Sequence, residues 1–510
     1  MSAKTNEPKT IDPKEFLEQP EVKAAMAELK AKFLDQKKVV SDVLDEEGNQ
    51  YVNLVQEGGG VLGVALVGYT YVLEEMGIRF MRLAGTSAGA INTALMAVIG
   101  NKESKKSKEI LNHLSRKNLF DFVDGHPVAK KMIKNFITNK SFVKQSVKWV
   151  KRLLLTLAAL IVVDFVGLGL QHHIEWFSVV TRISFVLTGA LLLSVAYLGV
   201  YTRYLLGRFK DCGFGINPGD DFHEWVKDIM NANDVNTIEK LKNKTGRLPQ
   251  GVSVRGRSST IDSLKSLNPD ITLITSDIIT ENKIEFPKMY DLFTDQPGQA
   301  DGPLHPADFV RASMSIPIFF ESFVINKIDA QNEAIRKSWL THFSIEPENI
   351  PQEARFVDGG VLSNFPMSIF YNPEVRVPRL PTFGVRLNDA EPEKKTKLRF
   401  SLGTYFGKLF NTVRYFYDKD FLLKNKLYSK GIGVIDVHEF NWLNFGLTNE
   451  EKKKLFLKGV LAAKEFLIGE KAFDWNAYKK EREDLYVTLH QSDENRKKEM
   501  EKEPLTQNHV

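Results

Sequence analysis

The stretch Phe80–Gly89 reads FMRLAGTSAG and decides the fold class. Its first half is an apolar run of strand length that ends at Gly85. The residues from Ala88 to about Val98 then have the apolar spacing of a helix. The pattern therefore predicts a strand, a tight turn and a helix in close succession.

The preceding segment has the same order of elements. Tyr51–Val55 has the β-branched, apolar composition of a strand, a glycine run follows it, and Val61–Met76 has helical spacing. Two strand–turn–helix units in succession predict an α/β fold with a mainly parallel central sheet. Further runs typical of strands lie at Ile271–Thr275, Phe323–Ile325, Phe383–Leu387 and Val434–Val437.

Ser87 is the candidate nucleophile. The pentapeptide Gly85–Gly89 has the pattern G-x-S-x-G where a strand ends and a helix begins, which is the context of a nucleophile elbow. The helix N-terminus behind the serine favours developing negative charge. The candidate oxyanion hole consists of backbone N–H groups from the earlier turn and from the residue after the serine: Gly58, Gly59, Gly60 and Ala88.

A glycine run can also hold a phosphate, but here no G-K-[ST] follows it, so nucleotide binding is disfavoured. The candidate general base is Asp358, which ends a strand-like run in FVDGG and is followed by two glycines. The alternative is a Ser–Asp–His triad with His438, which follows Ser87 in the order found in α/β-hydrolases. A single histidine after a strand is more often structural.

Taken together, the glycine loop, the G-x-S-x-G motif and Asp358-Gly359-Gly360 resemble the patatin-like phospholipases. Arg311–Pro317, RASMSIP, and Asn364–Pro366, NFP, extend the resemblance over residues 50–143 and 204–468. The resemblance implies a three-layer α/β fold and a dyad in which Ser87 attacks an ester carbonyl and Asp358 is the base. Water then releases the fatty acid, and neither a metal nor a cofactor is expected.

One position departs from the family pattern. Its glycine loop usually has a basic residue before the last glycine, whereas this chain has Leu62 followed by Gly63. The backbone donors of the loop remain. The sequence thus predicts a serine lipid acyl hydrolase of the phospholipase A type. The same dyad also suits a triacylglycerol lipase or a lipid acyltransferase, and Leu62 leaves open a catalytically weak membrane scaffold.

Two apolar runs, residues 153–170 and 183–200, interrupt the resemblance. Each run has eighteen residues with at most one charge, and as a helix it is about 27 Å long, close to the thickness of a bilayer core. The pair predicts a membrane hairpin. We expect Thr188 to hydrogen-bond Asp164, the one charged residue, with Gly189 allowing the helices to approach closely.

Basic residues flank this hairpin. Residues 101–152 contain fourteen Lys and Arg against four Asp and Glu. By the positive-inside rule both ends of the hairpin, the catalytic domain and both termini are expected to be cytoplasmic. The expected partners are a membrane lipid as substrate and the bilayer, contacted through residues 153–200. Small residues in the spans also allow a second copy of the chain to pair there.

Composition limits the remaining classes. With 510 residues, 43% of them hydrophobic and 26% charged, the chain has enough apolar residues for a large core. Its single cysteine, Cys212, excludes a disulfide framework. The net charge of +5 is too small for a dedicated nucleic-acid binder, so no nucleic acid is expected. The mean hydropathy of −0.23 conceals the two apolar runs.

The expected organisation has five parts. They are a polar N-terminal arm (1–47), the first part of the catalytic domain (48–143), the inserted hairpin (144–203), the second part of the catalytic domain (204–468) and a charged tail (469–510). A capping box at Thr448 and Glu451 predicts a helix that runs to about Leu467 near the end of the fourth part.

Overall fold

The structure is a computed structural model that describes residues 10–126, 130, 142–170, 175–211, 213–256, 264, 267–300, 302–389 and 402–500. Parts of the predicted arm, hairpin linker and tail, namely residues 1–9, 171–174 and 501–510, lie outside the described residues. The strands are β1 (Val43–Leu44), β2 (Gln50–Gln56), β3 (Ile78–Thr86), β4 (Gly215–Asn217), β5 (Ser253–Val254), β6 (Asp270–Asp277), β7 (Asn282–Phe286), β8 (Ile318–Phe320), β9 (Phe323–Asn326), β10 (Glu353–Asp358), β11 (Thr382–Asn388) and β12 (Ile432–Asp436).

The α-helices of the described residues are α1 (Pro13–Leu17), α2 (Pro20–Leu29), α3 (Gly63–Glu75), α4 (Ala88–Val98), α5 (Ser107–Arg116), α6 (Phe142–Leu170), α7 (Glu175–Asp211), α8 (Asp220–Ala232), α9 (Ile238–Gly246), α10 (Pro306–Ser313), α11 (Glu333–Phe343), α12 (Leu402–Lys424), α13 (Asn449–Ile468) and α14 (Trp475–Met500). The predicted helix after the serine thus has the observed bounds of α4. The predicted capping box of α13 is also confirmed, with both of its hydrogen bonds formed.

The chain divides into two compact units. One comprises Met1–Val123, Gly219–Ile316 and Ser322–Val510, and the other comprises Asp124–Pro218 and Pro317–Glu321. The first unit contains the central sheet and the predicted catalytic residues. The second contains the two long apolar helices together with the short parallel pair of β4 and β8.

The central sheet is mainly parallel, as the sequence predicts. Its main path has the order β12-β11-β2-β3-β6-β10-β9, and the five strands from β12 to β6 are parallel to their neighbours. Strands β10 and β9 continue the path in antiparallel orientation. All seven residues of β2 are buried. Because successive side chains point to opposite faces, both faces of this strand are covered.

Helices α3 and α13 are packed very closely through glycine. A Cβ atom on Gly68 of α3 would lie 2.1 Å from the carbonyl oxygen of Phe456, and one on Gly459 of α13 would lie 1.9 Å from that of Ala65. At both positions the backbone of α3 is in direct contact with the backbone of α13. No side chain fits there unless the helices move apart.

Two segments that the sequence predicts to be polar, one on each side of the first unit's core in the chain, contain buried residues. Helix α2 buries Val22, Ala25 and Leu29, so this part of the predicted polar arm is packed. The segment predicted as a charged tail begins with α14, whose Trp475 and Tyr478 are buried. Aromatic stacking with Phe473 explains why this end is packed, a contact that charge patterning does not reveal.

In the second unit, α6 and α7 are long and apolar enough to cross a membrane, over Lys148–Leu170 and Ser178–Lys210. Only 11% of the most apolar window of each helix is buried. The expected hydrogen bond is confirmed, since the Thr188 hydroxyl donates to Asp164 Oδ2 over 2.6 Å and both side chains are buried.

The predicted role of Gly189 is wrong, because a Cβ atom there would meet nothing within 4 Å. The close approach occurs instead at Gly167, where a Cβ atom would lie 2.4 Å from Thr181 Oγ1. The register of the hairpin predicts which residues lie at the same depth, and it placed Gly189 level with Asp164. It does not predict which way Gly189 faces, because that depends on the rotation of the helix about its axis. That rotation follows from packing rather than from the register of the hairpin.

The α3–α13 contact gives a test of the packing. We expect Gly459→Ala to destabilise the protein by about 1–3 kcal/mol, because the added methyl group collides with the backbone of α3. The measurement is the temperature of unfolding in detergent. The matched control is Gly246→Ala at the end of α9, where a Cβ atom meets nothing within 4 Å. Equal unfolding temperatures for both variants would contradict the close contact.

Candidate active site

Ser87 lies at a strained turn between β3 and α4. Its backbone has φ 53° and ψ −122°, a conformation that is unfavourable for a residue with a side chain. The neighbouring glycines allow the turn. A Cβ atom on Gly85 would lie 2.4 Å from the Gly89 carbonyl oxygen, and one on Gly89 would lie 2.3 Å from that of Gln56. The geometry is that of the predicted nucleophile elbow.

Two neighbours fix the position of this turn. The Ser87 N–H donates to Ser313 Oγ over 3.0 Å, and that hydroxyl donates to the Ile274 carbonyl over 2.5 Å. On another side Gly58 is in close contact, since a Cβ atom there would lie 2.9 Å from the Ser87 Cβ. Ser313 belongs to RASMSIP, so this segment of the sequence contributes directly to the elbow.

Asp358 ends β10 and lies level with the end of β3. The register pairs Thr86 with Ile274 of β6, and Thr275 with Asp358. The sequence predicted this carboxylate at the end of a strand. Strand β10 is antiparallel to β6, so it is the register of the pair that places Asp358 beside the elbow. A Cβ atom on Gly359 would lie 2.9 Å from Thr86 Cγ2, which shows how closely the two turns approach.

The environment of Asp358 tunes its acidity. Burial raises the pKa of this carboxyl above its ordinary value, while hydrogen bonds from the Ser87 side chain and the Gly360 N–H and the charge of Arg414 oppose that rise. The Gly360 N–H lies 2.7 Å from Asp358 Oδ1. Asp358 is therefore a buried carboxyl group close enough to the candidate nucleophile for the two side chains to influence each other, which is a requirement for a general base.

The glycine loop presents backbone donors to this site. The N–H groups of Gly59, Gly60 and Ala88 have no acceptor within the described part of the chain. The Gly58 N–H, in contrast, donates to the Asn364 carbonyl over 3.0 Å. The Gly58 N–H thus joins two loops in this structure, and its part in the oxyanion hole stays a prediction.

The patatin-like phospholipase family model matches residues 54–371, which is more than half of the chain. The chain belongs to the patatin-like phospholipase family. An uncharacterized protein of Bacillus subtilis (strain 168), YqhO, is 26% identical over 417 residues, which cover 82% of this chain and 98% of the relative. The crystal structure of VipD from Legionella pneumophila covers 84% of this chain and 70% of its own, with 13% identity and a TM-score of 0.33, too weak a likeness to carry an argument.

In this family member, Asn364 ties the glycine loop to the rest of the site. Its side-chain amide donates to the Gly58 carbonyl over 3.1 Å and to Glu57 Oε1 over 3.3 Å. Glu57 is itself buried and accepts the Leu387 N–H over 2.6 Å. Burial raises the pKa of Glu57 to about 8, although Arg386 lies 3.9 Å away and opposes the rise.

A helix beyond the family match holds this loop in place. Asp418 of α12 accepts the Ser363 hydroxyl and the N–H groups of Asn364 and Phe365, each over 2.8 Å. Burial raises the pKa of Asp418 to about 6. One carboxylate thus fixes three successive residues of the segment that positions the glycine loop.

The same helix brings a cation to the site. Arg414 Nη2 donates to Asn364 Oδ1 over 2.9 Å, and a Cβ atom on Gly360 would lie 3.1 Å from that nitrogen. Leu62, which replaces the basic residue usual in the family loop, is buried. Sequence reasoning missed Arg414 and Asp418, since α12 has no catalytic motif; their spacing of one helical turn on a common face was the only signal.

An apolar cavity of about 70 Å³ opens at the nucleophile. Its wall comes from the glycine loop, α3, α4, α5, α8 and the segments around them: Gly60, Val61, Gly63, Val64, Val67, Ser87, Ala88, Ile91, Asn92, Leu95, Ile110, Leu114, Leu119, Phe122, Phe222, Trp225, Met314, Ile316 and Phe445. Side chains with no hydrogen-bonding group dominate that wall. A hydrocarbon chain is the kind of ligand that suits it.

The alternative base, His438, makes different contacts. Its Nδ1 lies 2.6 Å from Asp436 Oδ1, and the side chains of both residues are partly exposed to solvent. Asp436 ends β12, three strands from β3 along the sheet. His438 and Asp436 thus form a pair with each other near the end of β12.

Proposed function

We propose that this protein is a membrane-anchored serine lipid acyl hydrolase of the phospholipase A type. Membership of the patatin-like phospholipase family supports lipid hydrolysis. The observation that carries the finer proposal is the elbow serine beside the buried Asp358, whose pKa the Ser87 side chain lowers, together with the apolar cavity that Ser87 lines.

In the proposed reaction, Ser87 Oγ attacks the ester carbonyl carbon while Asp358 takes the hydroxyl proton. The C–O bond to the alcohol breaks, and Asp358 returns the proton to the leaving oxygen. Water then attacks the acyl-serine with Asp358 again as base, which releases the fatty acid and restores Ser87. The raised pKa of Asp358 suits it to accept and return a proton.

The oxyanion of each tetrahedral intermediate is proposed to bind the N–H groups of Gly59, Gly60 and Ala88. These donors have no acceptor in the described residues, and the first two share the loop that Asn364 and Asp418 hold. Donors fixed before the charge develops stabilise the transition state without reorganisation. The cavity receives the first carbons of the acyl chain.

Membrane anchoring is proposed for α6 and α7. Their length and the exposure of side chains such as Leu155, Phe165, Val186 and Leu193 support it, because a core helix of that length would bury them. Long-chain acyl esters lie in bilayers, so an anchor keeps the enzyme at its substrate. The basic residues beside the spans favour a cytoplasmic catalytic domain.

We expect Ser87→Ala and Asp358→Asn each to lower kcat/KM for a phospholipid or a chromogenic acyl ester by about a thousandfold or more, because each removes one half of the dyad. A fluorophosphonate probe should label the parent protein at Ser87. If either variant releases fatty acid as fast as the parent, the dyad assignment is wrong. A parent protein that is neither labelled nor active would favour a membrane scaffold.

His438→Gln and Asp436→Asn serve as matched controls for that experiment. Both remove a polar group from the second pair without touching the elbow. Activity should remain within about twofold of the parent, because surface substitutions of this kind perturb folding little. A thousandfold loss in a folded His438→Gln variant would establish the triad instead.

Arg414 is proposed as a positioning residue for Asp358. Since its positive charge lowers the pKa of Asp358, Arg414→Gln should raise that pKa. The base acts only when deprotonated, so the acidic limb of kcat/KM should move to higher pH, with a loss of roughly threefold to tenfold at its acid end. Arg414→Lys should restore the limb. Lys408→Gln, an exposed charge on the same helix, is the control. An unmoved limb would contradict the role.

The anchoring proposal predicts that the full chain stays with membranes during alkaline carbonate extraction. The single cysteine tests orientation, because Cys212 follows the second span. In intact cells a membrane-impermeant maleimide should leave the protein unlabelled until the membrane is permeabilised, and Cys212→Ser should abolish labelling. Release by carbonate would refute anchoring, and labelling of intact cells would refute the orientation.

A further inference from the structure

A second cavity lies at the other end of β3. It has a volume of about 300 Å³ and shares no lining residue with the apolar cavity at Ser87. Its wall includes Phe80 near the start of β3, Leu83 in the second half of that strand, and Asp270 at the start of β6. The reaction proposed at Ser87 does not use this cavity.

Four cationic side chains line it: Lys102, Lys106, Lys244 and Arg247. The three ammonium groups are held by backbone oxygens. Lys102 Nζ donates to the Thr245 carbonyl over 2.6 Å and Lys106 Nζ to the Met96 carbonyl over 2.7 Å. Lys244 Nζ is 3.3 Å from the Asn233 carbonyl, and Arg247 lies exposed at the mouth. A carbonyl uses one of an ammonium's three donors, which leaves the others for a ligand.

Among the described residues, the acidic residues of the wall form no ion pair with these cations, although the charges of Asp270 and Glu103 partly offset that of Lys102. Glu103 Oε1 accepts the Gln250 N–H over 2.7 Å, and Asp270 Oδ1 accepts the Ile271 N–H over 2.8 Å. Within the described part of the chain, none of the four cations has a carboxylate within 4 Å. The wall therefore has four positive and two negative side chains.

Burial makes this arrangement costly without a ligand. It lowers the pKa of Lys102 to about 8 and that of Lys106 to about 7, and the charge of Lys102 lowers the latter further. Nearby Glu74 opposes the shift of Lys106, but its carboxylate already accepts the backbone N–H groups of Lys106 and Ser107. An anion in the cavity would stabilise both ammonium groups.

We propose that this cavity is a binding site for a phosphate group. Lysine ammonium groups bind phosphate oxygens as point charges, and an arginine at the mouth adds a planar pair of donors. A volume of about 300 Å³ is at the small end of ligand pockets, so it suits inorganic phosphate or a short phosphate ester rather than a whole lipid. The proposal does not depend on Ser87 or on acyl hydrolysis.

Isothermal titration calorimetry of the full chain in detergent tests it, with sodium phosphate titrated at constant ionic strength. Lys102→Met and Arg247→Gln should each weaken binding roughly tenfold, because each removes a charged hydrogen bond. Arg247 is exposed, so its variant keeps the test valid even if Lys102→Met fails to fold. Lys242→Met is the matched control, an exposed lysine of α9, the helix that ends just before Arg247, and it lies outside the cavity wall.

A second titration, with glycerol 3-phosphate, separates the two sources of the ligand. Tighter binding of the ester than of inorganic phosphate indicates a lipid headgroup or its soluble product, and the reverse indicates free phosphate. The proposal is overturned if the parent binds neither at millimolar concentration. It is also overturned if Arg247→Gln binds phosphate as tightly as the parent and the Lys242→Met control do.

Discussion

The backbone at Ser87, held at a positive φ, is the constraint on which the rest of the catalytic unit depends. Such a conformation costs about 1–3 kcal/mol and persists only where the surroundings fix it. Here Ser313 receives the serine N–H, and Gly58 is packed against its Cβ. Residues that are far apart in the chain must therefore assemble before the nucleophile takes its position.

The same close packing also sets the pKa values of the buried carboxyl groups in the site. The approach of the loops buries Asp358 and Glu57, and burial raises the pKa of both carboxyl groups. Hydrogen bonds from backbone N–H groups and the cation of Arg414 limit that cost. Exclusion of water therefore raises the affinity of Asp358 for a proton. It also makes burial of the carboxylates costly, and hydrogen-bond donors are needed to offset that cost.

Much of this organisation could be predicted from local patterns. Periodicity gave the bounds of α4, the motif gave the elbow, and hairpin register gave the Thr188–Asp164 hydrogen bond. The expected role of Gly189 was wrong because the face that a residue presents depends on the rotation of its helix, which packing decides. Packing also decides the direction of β10, which the sequence left open. Asp418 was missed because a carboxylate that binds backbone N–H groups needs no motif.

The contacts between α12 and the Asn364 segment determine how much of the chain the candidate site requires. All the recognised motifs lie before residue 371, where the family match stops. The carboxylate that fixes three residues of the loop lies at position 418, and the cation beside the base at position 414. A fragment trimmed to its motifs would keep Ser87 and Asp358 but lose the contacts that order the Asn364 segment, so an intact candidate site requires the chain through α12.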